Sequence, residues 1–201
     1  MVYNNAGLDG SVLRNMQFYE KQIDTQAAYK GIIVNVWRDT AELQNGCRVV
    51  REVVEHPGGV GIVPVTKDGN VLMVRQFRYP MGEELLEIPA GKLEDGEDPL
   101  ECAARELSEE TGYTAGRFID LGVSYPSPGY CKEKLYIYLA TDLLCGEAHL
   151  DENELLSIEE VAINDLIDKI MANELSDGKT IIGILKAQRY LESIKLKQEG
   201  K

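Results

Sequence analysis

The stretch that most constrains this chain is Gly91–Tyr113, GKLEDGEDPLECAARELSEETGY. It reads as a loop followed by a helix. Asp98 is a favoured N-cap, Pro99 suits the first helical position, Glu101 completes a capping box, and Gly112 is a natural stop. Between these signals, Glu106, Glu109 and Glu110 fall at i, i+3 and i+4, which puts three carboxylates on one helical face. Like charges at that spacing cost a bare helix about 0.2–0.5 kcal/mol per pair. On an ordinary surface helix they would form a solvated acidic face. Leu100, Ala103, Ala104 and Leu107 supply an apolar side, so the carboxylates stand at the edge of what is buried. Clustered oxygen donors suit hard divalent cations, Mg²⁺ or Mn²⁺, which keep positions open for water and phosphate.

Composition narrows the partners. The chain has 201 residues and a formal net charge of −13. That balance argues against nonspecific nucleic-acid binding, which needs a basic surface, and against an anionic membrane face. An anionic substrate would have to be met by local Arg, Lys and metal. Cys47, Cys102, Cys131 and Cys145 are scattered without a CxxC pair, as expected of reduced thiols in a cytoplasmic protein. No signal peptide opens the sequence and no apolar run is long enough to span a bilayer.

Taken in order, Leu13, Met16, Phe18 and Ile23 suggest a weakly amphipathic helix between Ser11 and Gln26. Residues 31–38 read as a strand, Asn45-Gly46 as a hairpin turn, and 47–55 as the return strand. His56-Pro57-Gly58-Gly59 breaks the sheet and opens a second region. There, 60–66 and 71–77 are strands around a 67–70 turn, and 85–90 is a short strand leading into the acidic stretch. Strands are expected at 118–125, 134–141 and 155–161, and helices at 164–173 and 180–194. Strands mixed with three helices predict an α/β (α+β) protein, an α/β/α sandwich with a mixed sheet, preceded by a small antiparallel β region. The expected division is 1–56, an arm and hairpin, and 57–201, the catalytic domain.

The acidic stretch resembles the Nudix box, G-x5-E-x7-R-E-U-x-E-E-x-G-U, where U is a bulky apolar residue. Gly91, Glu97, Arg105, Glu106, Leu107, Glu109, Glu110, Gly112 and Tyr113 fill its fixed positions, with an aromatic at the last. The surrounding HPGGV, EIPAG, Ser127-Pro128-Gly129 and Asp151-Glu152-Asn153-Glu154 resemble the ADP-ribose pyrophosphatases of that family. The resemblance implies a hydrolase that cuts a nucleoside diphosphate sugar with metal ions and water, and a homodimer built through the N-terminal sheet. Dinucleoside polyphosphates, nucleoside triphosphates and a non-catalytic sensing role are the alternatives.

Metal ligation falls to Glu106, Glu109 and Glu110, joined by the Ala90 carbonyl as the resemblance implies. Arg105 and Glu97 resemble the family's orienting pair, beside a simple helix salt bridge for Arg105. The resemblance implies Glu152 as the catalytic base and Glu154 as an added metal or water contact. Arg78 resembles an arginine that contacts substrate phosphates, with a surface-strand arginine as the alternative. Arg51 is implied to reach the nucleotide, and Pro128 with Gly129 marks substrate choice. Where some members stack adenine on aromatics, this strand carries Ile32-Ile33-Val34, which leaves that role to Trp37, to Tyr29 or to no residue.

Overall fold

A computed structural model describes residues 17–146 and 155–199. Its central strand is β4 (Gly59–Pro64), buried at every position. A run of small and β-branched residues without alternation is what a strand covered on both faces requires. β4 pairs antiparallel with β7 (Ala90–Lys92) and parallel with β9 (Leu135–Cys145), and β8 (Tyr113–Ser124) extends the sheet to the order β7-β4-β9-β8. On one face, Val60 and Ile62 pack with Cys102, Ala103 and Leu107 of helix α1 (Pro99–Thr111). On the other, Val63 packs with Ile184 and Ala187 of helix α3 (Gly178–Glu199). The mixed sheet between two helices is the expected sandwich.

A second sheet, β10-β5-β6, is formed by β5 (Asn70–Arg78), β6 (Glu83–Glu87) and β10 (Leu156–Ala162). Helix α2 (Ile163–Met171) adds Leu166 and Ile170 to the same core as Val71, Met73 and Ile88. Burial of these aliphatic side chains stabilises the fold by roughly 1.5–3 kcal/mol each. All of these elements belong to one compact unit, Pro57–Pro126 together with the chain from Lys134.

The other unit runs to His56 and takes in Ser127–Glu133. It holds an antiparallel sheet of β1 (Glu20–Lys30), β2 (Asn35–Leu43) and β3 (Arg48–Glu55) in the order β1-β2-β3. Ser127–Glu133 adds to it through hydrogen bonds from Val54 N–H to Tyr130 O (2.7 Å) and from Lys132 N–H to Val54 O (2.9 Å).

Several sequence expectations are corrected. The helix expected between Ser11 and Gln26 is not formed where the chain is described: Glu20–Lys30 is strand β1, paired with β2 along its length. Two register shifts, at Gln22/Asp24 and Ala27/Tyr29, interrupt its alternation, and most of its side chains are exposed. A bulge lets the side-chain pattern depart from period two, which is why the strand was hidden. The strand expected at 31–38 begins at Asn35, because the Gly31 N–H closes a turn on Val34 O (3.0 Å). The strand expected at 85–90 is two strands, β6 and β7, separated at Ile88-Pro89. The strand expected from Phe118 begins at Tyr113, one residue after the helix cap.

Candidate active site

Helix α1 is set by its ends. The Asp98 carboxylate accepts the N–H groups of Leu100 (2.9 Å) and Glu101 (3.4 Å), and Pro99 follows it. At the other end Gly112 adopts φ 73°, a left-handed cap that a side chain would strain, and its N–H bonds Ser108 O. The apolar side of α1 is fixed against β4, which places Glu106 and Glu110 at the edge of that buried side, with Arg105 and Glu109 next to them toward solvent.

Arg105 is the hub of that edge. Its Nε and Nη2 donate to Glu97 Oε1 (2.9 Å) and Oε2 (3.0 Å) in a fork-to-fork pair. Its Nη1 donates to Glu106 Oε1 (2.8 Å) and Glu109 Oε2 (2.9 Å), and Nη2 also reaches the Lys92 carbonyl (3.3 Å). The helix salt bridge and the orienting pair therefore exist together. Glu97 is fixed further by the Glu94 N–H (2.9 Å). The Arg105 guanidinium, then that backbone N–H, hold the Glu97 carboxyl at about 2 against an ordinary 4.5. Arg105 is raised in turn, first by Glu97. Cys102 lies inside this edge, and burial, then Glu97, push its thiol up to about 12, which makes it a packing residue rather than a nucleophile.

Glu110 is 3% exposed and accepts the Ala90 N–H at 3.0 Å, tying the helix to β7. Glu106 lies over Gly91. A Cβ built on Gly91 would stand 1.8 Å from Glu106 Cδ and 1.9 Å from Oε1. The first glycine of the acidic stretch thus makes room for a carboxylate; the sequence alone suggests only that the loop glycines permit a tight path into the helix.

Glu97, Glu106 and Glu109 bring three carboxylates to one guanidinium, and Glu110 stands on the same helix, bonded to β7. The all-oxygen donors, the Ala90 carbonyl strand beside them and the space kept at Gly91 fit a hard divalent ion. Among the described residues, no three acidic, histidine or cysteine side chains already converge as a ligand cluster. Glu106 and Glu109 turn to Arg105 and Glu110 to Ala90.

The other anticipated residues fall as follows. Arg78, at the end of β5, donates from Nε and Nη2 to Glu87 Oε1 (2.7 Å) and Oε2 (2.6 Å). Arg51, on β3, makes the same fork with Glu20 at 2.9 and 2.8 Å, in the N-terminal unit. Pro128 and Gly129 lie in a turn closed by Tyr130 and Cys131 N–H groups on Ser127 O (3.2 and 2.9 Å). The Trp37 indole N–H donates to Glu55 (3.1 Å) and Tyr29 is exposed. Glu152 and Glu154 lie outside the described residues.

Sequence reasoning missed Glu87 and Lys179. Glu87 is 1% exposed and takes Lys179 Nζ as well as Arg78. The signal was a carboxylate set inside the apolar run Leu85-Leu86-Glu87-Ile88, which burial requires to be paired.

The model of the NUDIX domain matches residues 55–181. The chain belongs to the Nudix family. It is 40% identical, over 82% of this chain and 90% of the relative, to an ADP-ribose pyrophosphatase of Bacillus subtilis (strain 168). It is 39% identical, over 83% and 91%, to a methanol dehydrogenase activator of Bacillus methanolicus. A solved structure described as an ADP compounds hydrolase superposes with a TM-score of 0.77 at 23% identity, covering 87% of this chain and 95% of that one, and shares the Nudix fold. The Nudix box of this family is the Arg105-centred edge of α1. Among the described residues no helix is long and apolar enough to cross a membrane.

Proposed function

We propose that this Nudix hydrolase cleaves the diphosphate of ADP-ribose, or of a related nucleoside diphosphate sugar, to a nucleoside monophosphate and a sugar phosphate. The observation that carries the reading is the carboxylate edge gathered by Arg105 beside β7. The name of the Bacillus subtilis relative points to the same substrate class. Glu106, Glu109, Glu110 and the Ala90 carbonyl would hold the ion, Mg²⁺ or Mn²⁺. When bound, it neutralises phosphate oxygens and lowers the pKa of water. Arg105, itself held by Glu97, aims the Glu106 and Glu109 carboxylates. Glu152 takes the proton from the attacking water, with Glu154 as an added contact. Arg78 binds the diphosphate. Arg51, Pro128 and Gly129 serve the nucleoside and sugar, and Trp37 or Tyr29 stacks the base.

The N-terminal sheet is assigned to a homodimer. Its exposed Ile23, Tyr29 and Val50 support this, and light scattering that finds only a monomer rules it out. All four cysteines are free thiols, in keeping with the cytoplasm.

Activity on ADP-ribose should vanish in chelator and return with Mg²⁺ or Mn²⁺, with AMP and ribose 5-phosphate as products; full activity in chelator rejects the metal mechanism. Glu152→Gln should lower kcat by about 10²–10⁴ and leave metal affinity nearly intact, as expected for a positioned base. A wild-type kcat in that variant moves the base to Glu154 or Glu109. The Bacillus methanolicus relative favours a second reading, action on a dehydrogenase. Stimulation of a methanol dehydrogenase assay, with no hydrolysis of ADP-ribose or other nucleoside diphosphate sugars, would select it.

A further inference from the structure

Beside the box lies a second charged network that the box motif does not include. Arg78, Glu87, Lys179 and Asp177 alternate in sign. Arg78 forks onto Glu87, Lys179 Nζ bonds the Oε2 of Glu87 from another direction, and the same Nζ donates to Asp177 Oδ2 at 2.9 Å. Exposure falls from 38% at the Arg78 side chain to 1% at Glu87, with Lys179 at 13%. The accessible end of the chain of charges is therefore a guanidinium. Its pair with Glu87 uses Nε and Nη2, which leaves the Nη1 edge outside that pair.

Lys179 is oddly placed for a merely structural lysine. It stands in the first turn of α3, where the helix dipole disfavours a cation by about 0.3–1 kcal/mol. The first turn is already capped by Asp177, which accepts the Thr180 N–H (3.0 Å) and hydroxyl (2.6 Å). The residue earns no capping role, and what it gains is Glu87. Without Lys179, Arg78 would face two carboxylates and no second cation. Charge from Asp177 and from Glu110 already reaches Arg78, after that of Glu87, so it lies within range of both the network and the box.

We propose that Lys179 is a positioning residue for phosphate recognition: by neutralising buried Glu87 from the core side, it leaves the charge of Arg78 available to an anionic diphosphate, while Asp177 opposes it. The inference rests on the reading of Arg78 as the diphosphate contact. It assigns opposite effects to two residues at the start of α3, which a loss of packing would not produce.

The test titrates the full-length protein with inorganic pyrophosphate in the presence of Mg²⁺ by calorimetry, beside steady-state kinetics on ADP-ribose. Lys179→Met should weaken pyrophosphate binding and raise KM by about tenfold, the scale of one charge-assisted contact, with kcat within about twofold. Lys179→Arg should recover most of the loss. Asp177→Asn keeps a capping oxygen and removes the charge, so it should tighten binding and lower KM. Equal binding in wild type and Lys179→Met, equal impairment in Lys179→Arg, weaker binding in Asp177→Asn, or no pyrophosphate binding to the wild type overturns the proposal. If Lys179→Met does not fold, the sign of the Asp177→Asn effect decides. A wild type that binds pyrophosphate but leaves ADP-ribose intact rejects the substrate reading alone, because the titration needs no turnover.

Discussion

The two charged networks of the catalytic unit are built to opposite rules. Around Arg105, three carboxylates share one cation, on side chains that keep some exposure: 38% for Glu109, 13% for Glu97 and 12% for Glu106. Around Glu87, two carboxylates alternate with two cations, and the central carboxylate is almost wholly buried. A balanced buried set pays its desolvation by pairing and is fixed in place. A set with more negative than positive charge is electrostatically incomplete and gains when a cation arrives. The first network is therefore suited to holding ligands, the second to holding its neighbours.

The sharpest test of that contrast is to delete one charge from each. Glu106→Gln removes a proposed ligand from the acidic set and relieves repulsion there. Turnover should fall about a hundredfold or more, since a metal supplies several kcal/mol of transition-state stabilisation, while the thermal midpoint without metal holds or rises. Glu87→Gln should do the reverse to stability. It strands two cations around a buried amide, and urea unfolding should show a loss of about 3 kcal/mol. If both variants lose stability alike, the contrast fails.

Gly91→Ala comes next. A methyl group 1.8 Å from the Glu106 carboxyl carbon must displace it, so metal affinity, read by titration, should weaken about 10–100-fold, as for other lost orienting contacts. An unchanged affinity would show that Glu106 need not occupy that space. The smallest effect concerns acid. The folded Glu97 carboxyl lies at about 2, below its ordinary 4.5, so its contribution is complete above the ordinary value and is lost as pH falls toward 2. Glu97→Gln should flatten that part of the curve of melting temperature against pH. A curve parallel to wild type would remove Glu97 from the acid response.

How much of this could be read from the chain depended on how local the cause was. Asp98, Pro99 and Gly112 set the helix through bonds to their own neighbours, and the sequence placed it correctly. The carboxylate face followed from spacing alone. Strand β1 is not legible locally because its identity comes from pairing with β2, and its register shifts erase the alternation a strand would show. The need for a glycine at 91 is not legible locally, because the carboxylate that takes its space comes from α1. Glu87 and Lys179 stand 92 residues apart, and only the core that brings α3 to β6 makes them partners.

The Thr180 hydroxyl that accepts the Ile88 N–H at 3.0 Å, also across 92 residues, has a consequence for biosynthesis. Ile88 precedes the Pro89-Ala90-Gly91 segment on which the box closes, yet its backbone donor is satisfied only by the opening of the last helix. A ribosome finishes the Nudix box long before that partner emerges from its exit tunnel. The nascent chain thus carries a complete box motif whose support is fastened only after Asp177–Thr180 has been made and docks.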